Sequence, residues 1–191
     1  MKQRSKDNYE KRIVTIPNIL SVLRIAIIPL IVWSYVGIKL PALTAVLVIL
    51  SGITDVVDGF IARRFNMISD VGKALDPIAD KLTQIALLFC LVTKFPFILL
   101  PLVLIIIKET SSFVLRAVVI HKTGKVDGAV WHGKLNTVVL YSVMFLHTVW
   151  YTIPTHISLI CIFTSCAIML FSYALYSIDG IKQLIKHHKE K

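Results

Sequence analysis

Between Ser51 and Lys81 the chain reads SGITDVVDGFIARRFNMISDVGKALDPIADK, with five carboxylates, Asp55, Asp58, Asp70, Asp76 and Asp80, inside 26 residues. On a helix, Asp55 and Asp58 lie about 60° apart around the axis, and Asp76 and Asp80 about 40° apart, so each pair shares a face. A short connection separates the two pairs, which predicts antiparallel neighbouring helices and four carboxylates converging on one cavity mouth. Asp70 reads as a solvated helix cap. Four converging carboxylates repel unless a cation intervenes. Oxygen-only ligands suit a hard divalent ion such as Mg²⁺, which is held by carboxylates together with substrate phosphates. Two ions sharing a bridging carboxylate would engage three of the four and leave one free as a general base. Gly59 and Gly72 remove side chains on the same faces, and Arg63, one turn beyond Gly59, can set a guanidinium on phosphate oxygens.

Two other readings compete. A purely structural network with Arg63, Arg64, Lys73 or Lys81 would account for one acidic pair, but not for two pairs flanked by glycines. Membrane transporters also use carboxylates for protons or cations, but hold them near the bilayer midplane on broken helices. These carboxylates stand at the ends of apolar runs, near the membrane boundary. That position suits an enzyme taking one substrate from lipid and another from water.

The elements that must position this cluster are membrane helices. The chain has 191 residues, 56% hydrophobic and only 17% charged, with a mean hydropathy of +0.77. Soluble domains carry about 25% charged residues. The 21 Lys and Arg against 11 Asp and Glu therefore do not mark a soluble nucleic-acid binder, and no nucleic-acid partner is expected. Disorder, a coiled coil and a disulfide scaffold are excluded as well. Cys90, Cys161 and Cys166 lie in apolar runs and read as small hydrophobic side chains.

A spanning helix needs about 20 apolar residues, and the pattern predicts an all-α integral membrane fold of six. The runs are Ile13 to Ile38, opened by Thr15, Ile16 and Pro17, then Pro41 to Arg63, Asp70 to Thr93, Pro96 to Ile120, Lys134 to Tyr151 and Thr155 to Ser177. The first run is long, contains Arg24 and has no convincing cleavage site after it, so it reads as retained. Residues 1–12 form a basic N-terminal segment, 13–180 a single six-helix domain and 181–191 a basic tail. With six spans, nearly all loop and tail cations fall on one side, and the other side keeps Lys39 and Lys94. The basic side, including both termini, is therefore expected in the cytoplasm. Trp33, Trp150 and Tyr151 read as interface anchors on the opposite side, and the basic termini as weak contacts for anionic membrane lipids.

The eight positions Asp55, Asp58, Gly59, Ala62, Arg63, Gly72, Asp76 and Asp80 match, without substitution, the signature of the CDP-alcohol phosphotransferase family. The resemblance implies six transmembrane helices around a cytoplasm-facing polar cavity, a cell-membrane location, a homodimer and two divalent metals, Mg²⁺ or Mn²⁺. It implies Asp55, Asp58 and Asp76 as metal ligands, with Asp80 joining them as catalytic base. Asp58, Gly59, Ala62, Arg63 and Gly72 would form the CDP pocket. Within the family the chain is most similar to the phosphatidylglycerophosphate synthases, on IPNILSVLRIAIIPL, LDPIADKL, Lys108-ETSSFVL-Arg116 and WHGKLNT. That likeness implies CDP-diacylglycerol and glycerol-3-phosphate as substrates, with Lys108, Arg116 and Lys134 holding the acceptor's phosphate. Lys108 departs from the usual Arg, placing a point charge where a bidentate fork is expected. The three cations lack local sequence partners and so call for an anion, although a Glu109–Arg116 pairing along the helix is the bland alternative. A cardiolipin synthase using phosphatidylglycerol is the nearest variant within the family, and a proton or cation transporter is the rival from another class.

Overall fold

The computed structural model describes residues 15–65, 70–123 and 131–189. Residues 1–12, 124–130 and 190–191, and the side chains of Arg63 and Asp70, lie outside the described set. Among the described residues there is no strand. The helices are α1 (Ile16–Val32), α2 (Pro41–Arg64), α3 (Asp70–Val92), α4 (Leu99–Thr123), α5 (Trp131–Val149) and α6 (Thr155–Lys189). Each falls within a few residues of an expected run except α6, which continues past Ser177 to Lys189 through the segment read as a tail. That stretch contains no proline, and its Lys, Gln, Leu and Ile residues tolerate a helix well enough to offset the lone Gly180.

The chain divides into two compact units, one ending at Thr93 and the other beginning at Lys94. In the first, α1 opens on a Thr15 cap, whose hydroxyl accepts from the Asn18 amide at 3.4 Å, with Pro17 in the first turn. Pro29 removes a backbone donor inside α1, and a π-helical turn, Trp33–Gly37, follows. The reversal into α2 uses Lys39 in the left-handed region, φ 53°. The Leu40 amide bonds back to the Ser34 carbonyl at 2.9 Å, and Pro41 starts α2, where its missing N–H costs nothing. Ser34 and Thr44, both buried, share a hydroxyl–hydroxyl bond of 2.8 Å that ties α1 to α2.

Packing in this unit departs from the expected α2–α3 pair. α1 packs along both α2 and α3, while α2 and α3 make few close backbone contacts with each other. A short connection brings only helix ends together. The buried stripe Asn18, Ser21, Arg24 on α1, recurring every third residue, draws the polar faces of both partners onto itself.

In the second unit α6 plays the equivalent part and packs against α4 and α5. A Cβ on Gly180 would come within 2.7 Å of Leu115, so the glycine lets α6 approach α4 closely.

The burial pattern differs from that of a water-soluble protein, with polar groups buried beside the apolar core and large apolar side chains outside. Arg24, Ser34, Thr44, Asp58, Gln84 and Ser165 are buried, while Ile19, Ile49, Phe113 and Phe163 are exposed. Only a hydrocarbon surround makes that arrangement favourable. Among the described residues, four stretches can cross a bilayer by length and composition: Ile16–Gly37, Pro41–Ala62, Pro96–Lys122 and Thr155–Ile185. α3 and α5 fall short of that criterion because of polar residues in their N-terminal halves, among them Asp76, Asp80 and Lys81 on α3 and Lys134 and Asn136 on α5.

Candidate active site

α2 and α3 bring three of the four expected carboxylates together. One oxygen each from Asp55, Asp58 and Asp76 lies within 4.8 Å of the others. Asp58 is buried, whereas Asp55 and Asp76 have 49% and 42% of their side chains exposed, so the group opens to one side. At its centre is Arg24 of α1, with only 2% of its side chain exposed. Its Nη1 is 2.6 Å from Asp55 Oδ1, and its Nη2 is 2.5 Å from Asp58 Oδ2 and 3.5 Å from Asp76 Oδ1. Ser21, one turn before Arg24, donates to Asp76 Oδ1 at 2.9 Å and also lies 3.1 Å from the Pro17 carbonyl.

Arg24 neutralises one of three carboxylate charges, so the described cluster keeps a formal excess of two negative charges. Asp58 Oδ1 is buried without a hydrogen-bond partner among the described residues. A buried acceptor left unsatisfied costs free energy. The all-oxygen donor set, the spacing, the residual charge and this oxygen all fit a hard divalent cation.

Asp80 stands outside the trio. Its Oδ2 accepts from Gln84 Nε2 at 3.1 Å and lies 3.7 Å from Lys81 Nζ, which in turn donates to Gln84 Oε1 at 3.2 Å. Gln84 is fully buried, so this carboxylate has a fixed orientation of its own. Gly59 and Ala62 on α2 and Gly72 on α3 are half-buried.

The expected acceptor residues belong to the second unit. Lys108 is not the unpaired cation read from the sequence, because its Nζ sits 3.1 Å from Glu109 Oε1. Arg116 is exposed; its Nε donates to the Tyr176 hydroxyl at 2.5 Å, and its guanidinium carbon lies 5.0 Å from that ring's centre. This bond uses the inner nitrogen and leaves the two terminal nitrogens of the fork for an anion. Lys134 is exposed at the start of α5.

Sequence reasoning passed over Arg24, Ser21, Gln84 and Tyr176. A signal for Arg24 was present, since it is the one charged residue in the first apolar run, and such a group is a functional candidate by default. Tyr176 had no comparable signal, being 60 residues from its partner.

The sequence profile of the CDP-alcohol phosphatidyltransferase family matches residues 14–173. The CDP-diacylglycerol–glycerol-3-phosphate 3-phosphatidyltransferase of Rickettsia bellii is 42% identical over 96 residues, 49% of this chain and 53% of that protein. The cardiolipin synthase (CMP-forming) of Streptomyces coelicolor is 43% identical over 76 residues, 37% of this chain and 35% of that one. Against the Rickettsia protein the chain thus spans about half the relative's length. A relative in Blochmanniella floridana, also named CDP-diacylglycerol–glycerol-3-phosphate 3-phosphatidyltransferase, is 31% identical over 186 residues, covering 88% of this chain and 93% of its own. The profile match takes in the carboxylate trio, Asp80 and the cations of α4 and α5, and the chain belongs to the CDP-alcohol phosphatidyltransferase family.

Proposed function

We propose that the protein transfers the phosphatidyl group of CDP-diacylglycerol to glycerol-3-phosphate, giving phosphatidylglycerophosphate and CMP. The observation that carries this reading is the Asp55, Asp58 and Asp76 trio, brought within 4.8 Å on helices that expose apolar surface. Two divalent ions, Mg²⁺ or Mn²⁺, would be held by Asp55, Asp58 and Asp76 with help from Asp80; when bound they supply charge neutralisation for the diphosphate and the departing CMP. Asp58, Gly59, Ala62, Arg63 and Gly72 form the CDP pocket, where the glycines admit the nucleotide close to backbone. Arg116 and Lys134 bind the acceptor's phosphate, with Lys108 contributing beside Glu109.

Asp80 takes the proton of the acceptor's primary hydroxyl. The freed oxygen forms a bond to the phosphatidyl phosphorus, and the bond from that phosphorus to the CMP oxygen breaks. A base must reach the hydroxyl within about 2.6–3.2 Å, directly or through one water. The Gln84 bond fixes the Asp80 carboxylate for that task.

In this reading α3 and α5 cross the membrane with the four more apolar stretches. Both termini face the cytoplasm, the enzyme resides in the cell membrane, and two copies associate as a homodimer. The likeness to a cardiolipin synthase over 76 residues favours one alternative acceptor, phosphatidylglycerol. The test is CMP release by purified protein from CDP-diacylglycerol with Mg²⁺ or Mn²⁺ and each acceptor separately. Release dependent on glycerol-3-phosphate is expected. Release only with phosphatidylglycerol would move the assignment to the alternative, and release with neither would end both. On the same preparation, Asp80→Asn should abolish turnover while Mn²⁺ still binds with modestly reduced affinity. Parallel loss of both would reduce Asp80 to a plain ligand.

A further inference from the structure

Arg24 has the geometry of a clamp. Its Nη2 hydrogen-bonds Asp58 Oδ2 at 2.5 Å, and it makes ion-pair contacts with Asp55 Oδ1 at 2.6 Å and Asp76 Oδ1 at 3.5 Å. Each carboxylate thus gives one oxygen to the guanidinium and keeps its second oxygen outside that grip. For Asp58 the second oxygen, Oδ1, is the buried atom without a hydrogen-bond partner among the described residues. A planar guanidinium carries five donors in a rigid fork and can address several carboxylates at once, whereas an ammonium is a point charge. The clamp is supported from its own helix, since Ser21 holds the same Asp76 oxygen that Arg24 approaches. Because α1 packs along both α2 and α3, the three carboxylates are registered through α1 and not directly across α2 and α3.

We propose that Arg24 is a positioning residue that grips one oxygen of each of Asp55, Asp58 and Asp76, so that their second oxygens are presented together to a divalent cation. The role rests on the reading of the trio as a metal site. It differs from the simpler possibility that the guanidinium merely takes up the space and charge a metal would otherwise occupy. The two make opposite forecasts. A clamp that orients ligands makes metal binding weaker when it is removed, by the 10–100-fold typical of groups that hold metal ligands in place. A competing cation makes metal binding tighter when it is removed.

The experiment measures Mn²⁺ affinity by electron paramagnetic resonance on detergent-purified full-length protein, together with thermal stability in excess chelator. Four proteins are compared: wild type, Arg24→Gln, Arg24→Lys and Ser21→Ala. Arg24→Gln is expected to bind Mn²⁺ roughly 10–100-fold more weakly. Arg24→Lys restores the charge without the fork, so it should recover stability in chelator but not Mn²⁺ affinity. Ser21→Ala, the mildest change, should keep the fold and weaken Mn²⁺ binding a few-fold; if Arg24→Gln does not fold, this variant and Arg24→Lys carry the test. Equal or tighter Mn²⁺ binding by Arg24→Gln, or full recovery of affinity in Arg24→Lys, would overturn the clamp while leaving the metal site standing. Failure of the wild type itself to bind Mn²⁺ would instead remove the metal reading, and the clamp with it.

Discussion

The two units of the chain solve one packing problem with different polar chemistry. In each, a single helix, α1 or α6, packs against both of the others. The first unit buries charge: Arg24 and Asp58 are nearly inaccessible, and the exposed carboxylates beside them open outward. The second buries hydroxyls, an amide and an imidazole. His147, fully buried, bonds through Nδ1 to the Val143 carbonyl at 2.8 Å and through Nε2 to Ser158 Oγ at 2.9 Å. A carbonyl can only accept, so Nδ1 carries a proton, and the ring is held from both nitrogens. Phe95 packs edge-on against it with ring centres 4.9 Å apart. A fully satisfied network of this kind stabilises helix packing without need of a ligand. The charged one, with an excess of negative charge and an unsatisfied oxygen, is organised around something further. Buried polarity alone therefore does not mark the site; buried polarity with unbalanced charge does.

That contrast is open to direct attack. The largest effect is expected at Asp58. Asp58→Asn should lower CMP release by at least about 100-fold, beyond the 10–100-fold seen for loss of groups that only support ligands. It should also destabilise the protein, because breaking a buried ion pair costs about 3–5 kcal/mol. Turnover and thermal melting in the same detergent check both, and retention of full activity would remove the first unit's claim to the chemistry.

Arg116→Ala should come next, raising the apparent KM for glycerol-3-phosphate about tenfold or more. Hydrogen bonds to charged groups contribute about 1.5–3 kcal/mol. The KM for CDP-diacylglycerol should hardly move, and equal changes in both would deny Arg116 a dedicated acceptor role. His147→Leu sharpens the other side of the comparison. It leaves the Ser158 hydroxyl without its partner, a loss of about 1–3 kcal/mol in stability, but Mn²⁺ affinity should stay at the wild-type value. A fall in metal affinity there would show that the second unit's polar network is not merely structural. The smallest effect belongs to Tyr176→Phe, which removes one hydroxyl from Arg116 but keeps the ring. A shift of about 0.5–1.5 kcal/mol in acceptor binding is expected, seen as a few-fold rise in the KM for glycerol-3-phosphate alone.

Much of the fold could be read from residue order. Pro41 starts α2 where expected, Pro96 starts a 3₁₀ turn, Pro96–Ile98, that leads into α4, and Thr15 with Pro17 opens α1. Those signals are local, carried by caps and by residues that break or begin helices. The Asp55 and Asp58 pair was equally legible, because helical spacing alone puts the two on one face. What the sequence hid was the third party. Arg24 is 34 residues from Asp58 and Ser21 is 55 from Asp76, and no periodicity relates them. Reading α2 and α3 as direct neighbours followed from the short connection and missed that α1 could lie along both. The apparent freedom of Lys108 failed for the opposite reason. Its partner, Glu109, is the next residue, and consecutive positions on a helix do not face each other; two long side chains nevertheless reach across at 3.1 Å.

Arg24 also has a consequence for biosynthesis. It emerges from the ribosome well before Asp55 and Asp58, so α1 meets the bilayer while the carboxylates it pairs with among the described residues are still unmade. A lone Arg near the middle of an inserting segment costs about 2.5–3.5 kcal/mol on the translocon scale. The isoleucines, leucines and valines of Ile16–Gly37, a stretch apolar enough to cross a membrane, supply the opposing drive. The charge is relieved only when α2 delivers its carboxylates, and the Ser34–Thr44 bond joins the two helices near their shared turn. The α1–α2 hairpin is thus the smallest piece that can settle in the membrane with Arg24 paired. Nascent chains ending after Gly37 should be retained less firmly than chains ending after Arg64, a difference that carbonate extraction of translation products reads directly. The residue that orders the finished site would then also time the commitment of the first two helices to the bilayer.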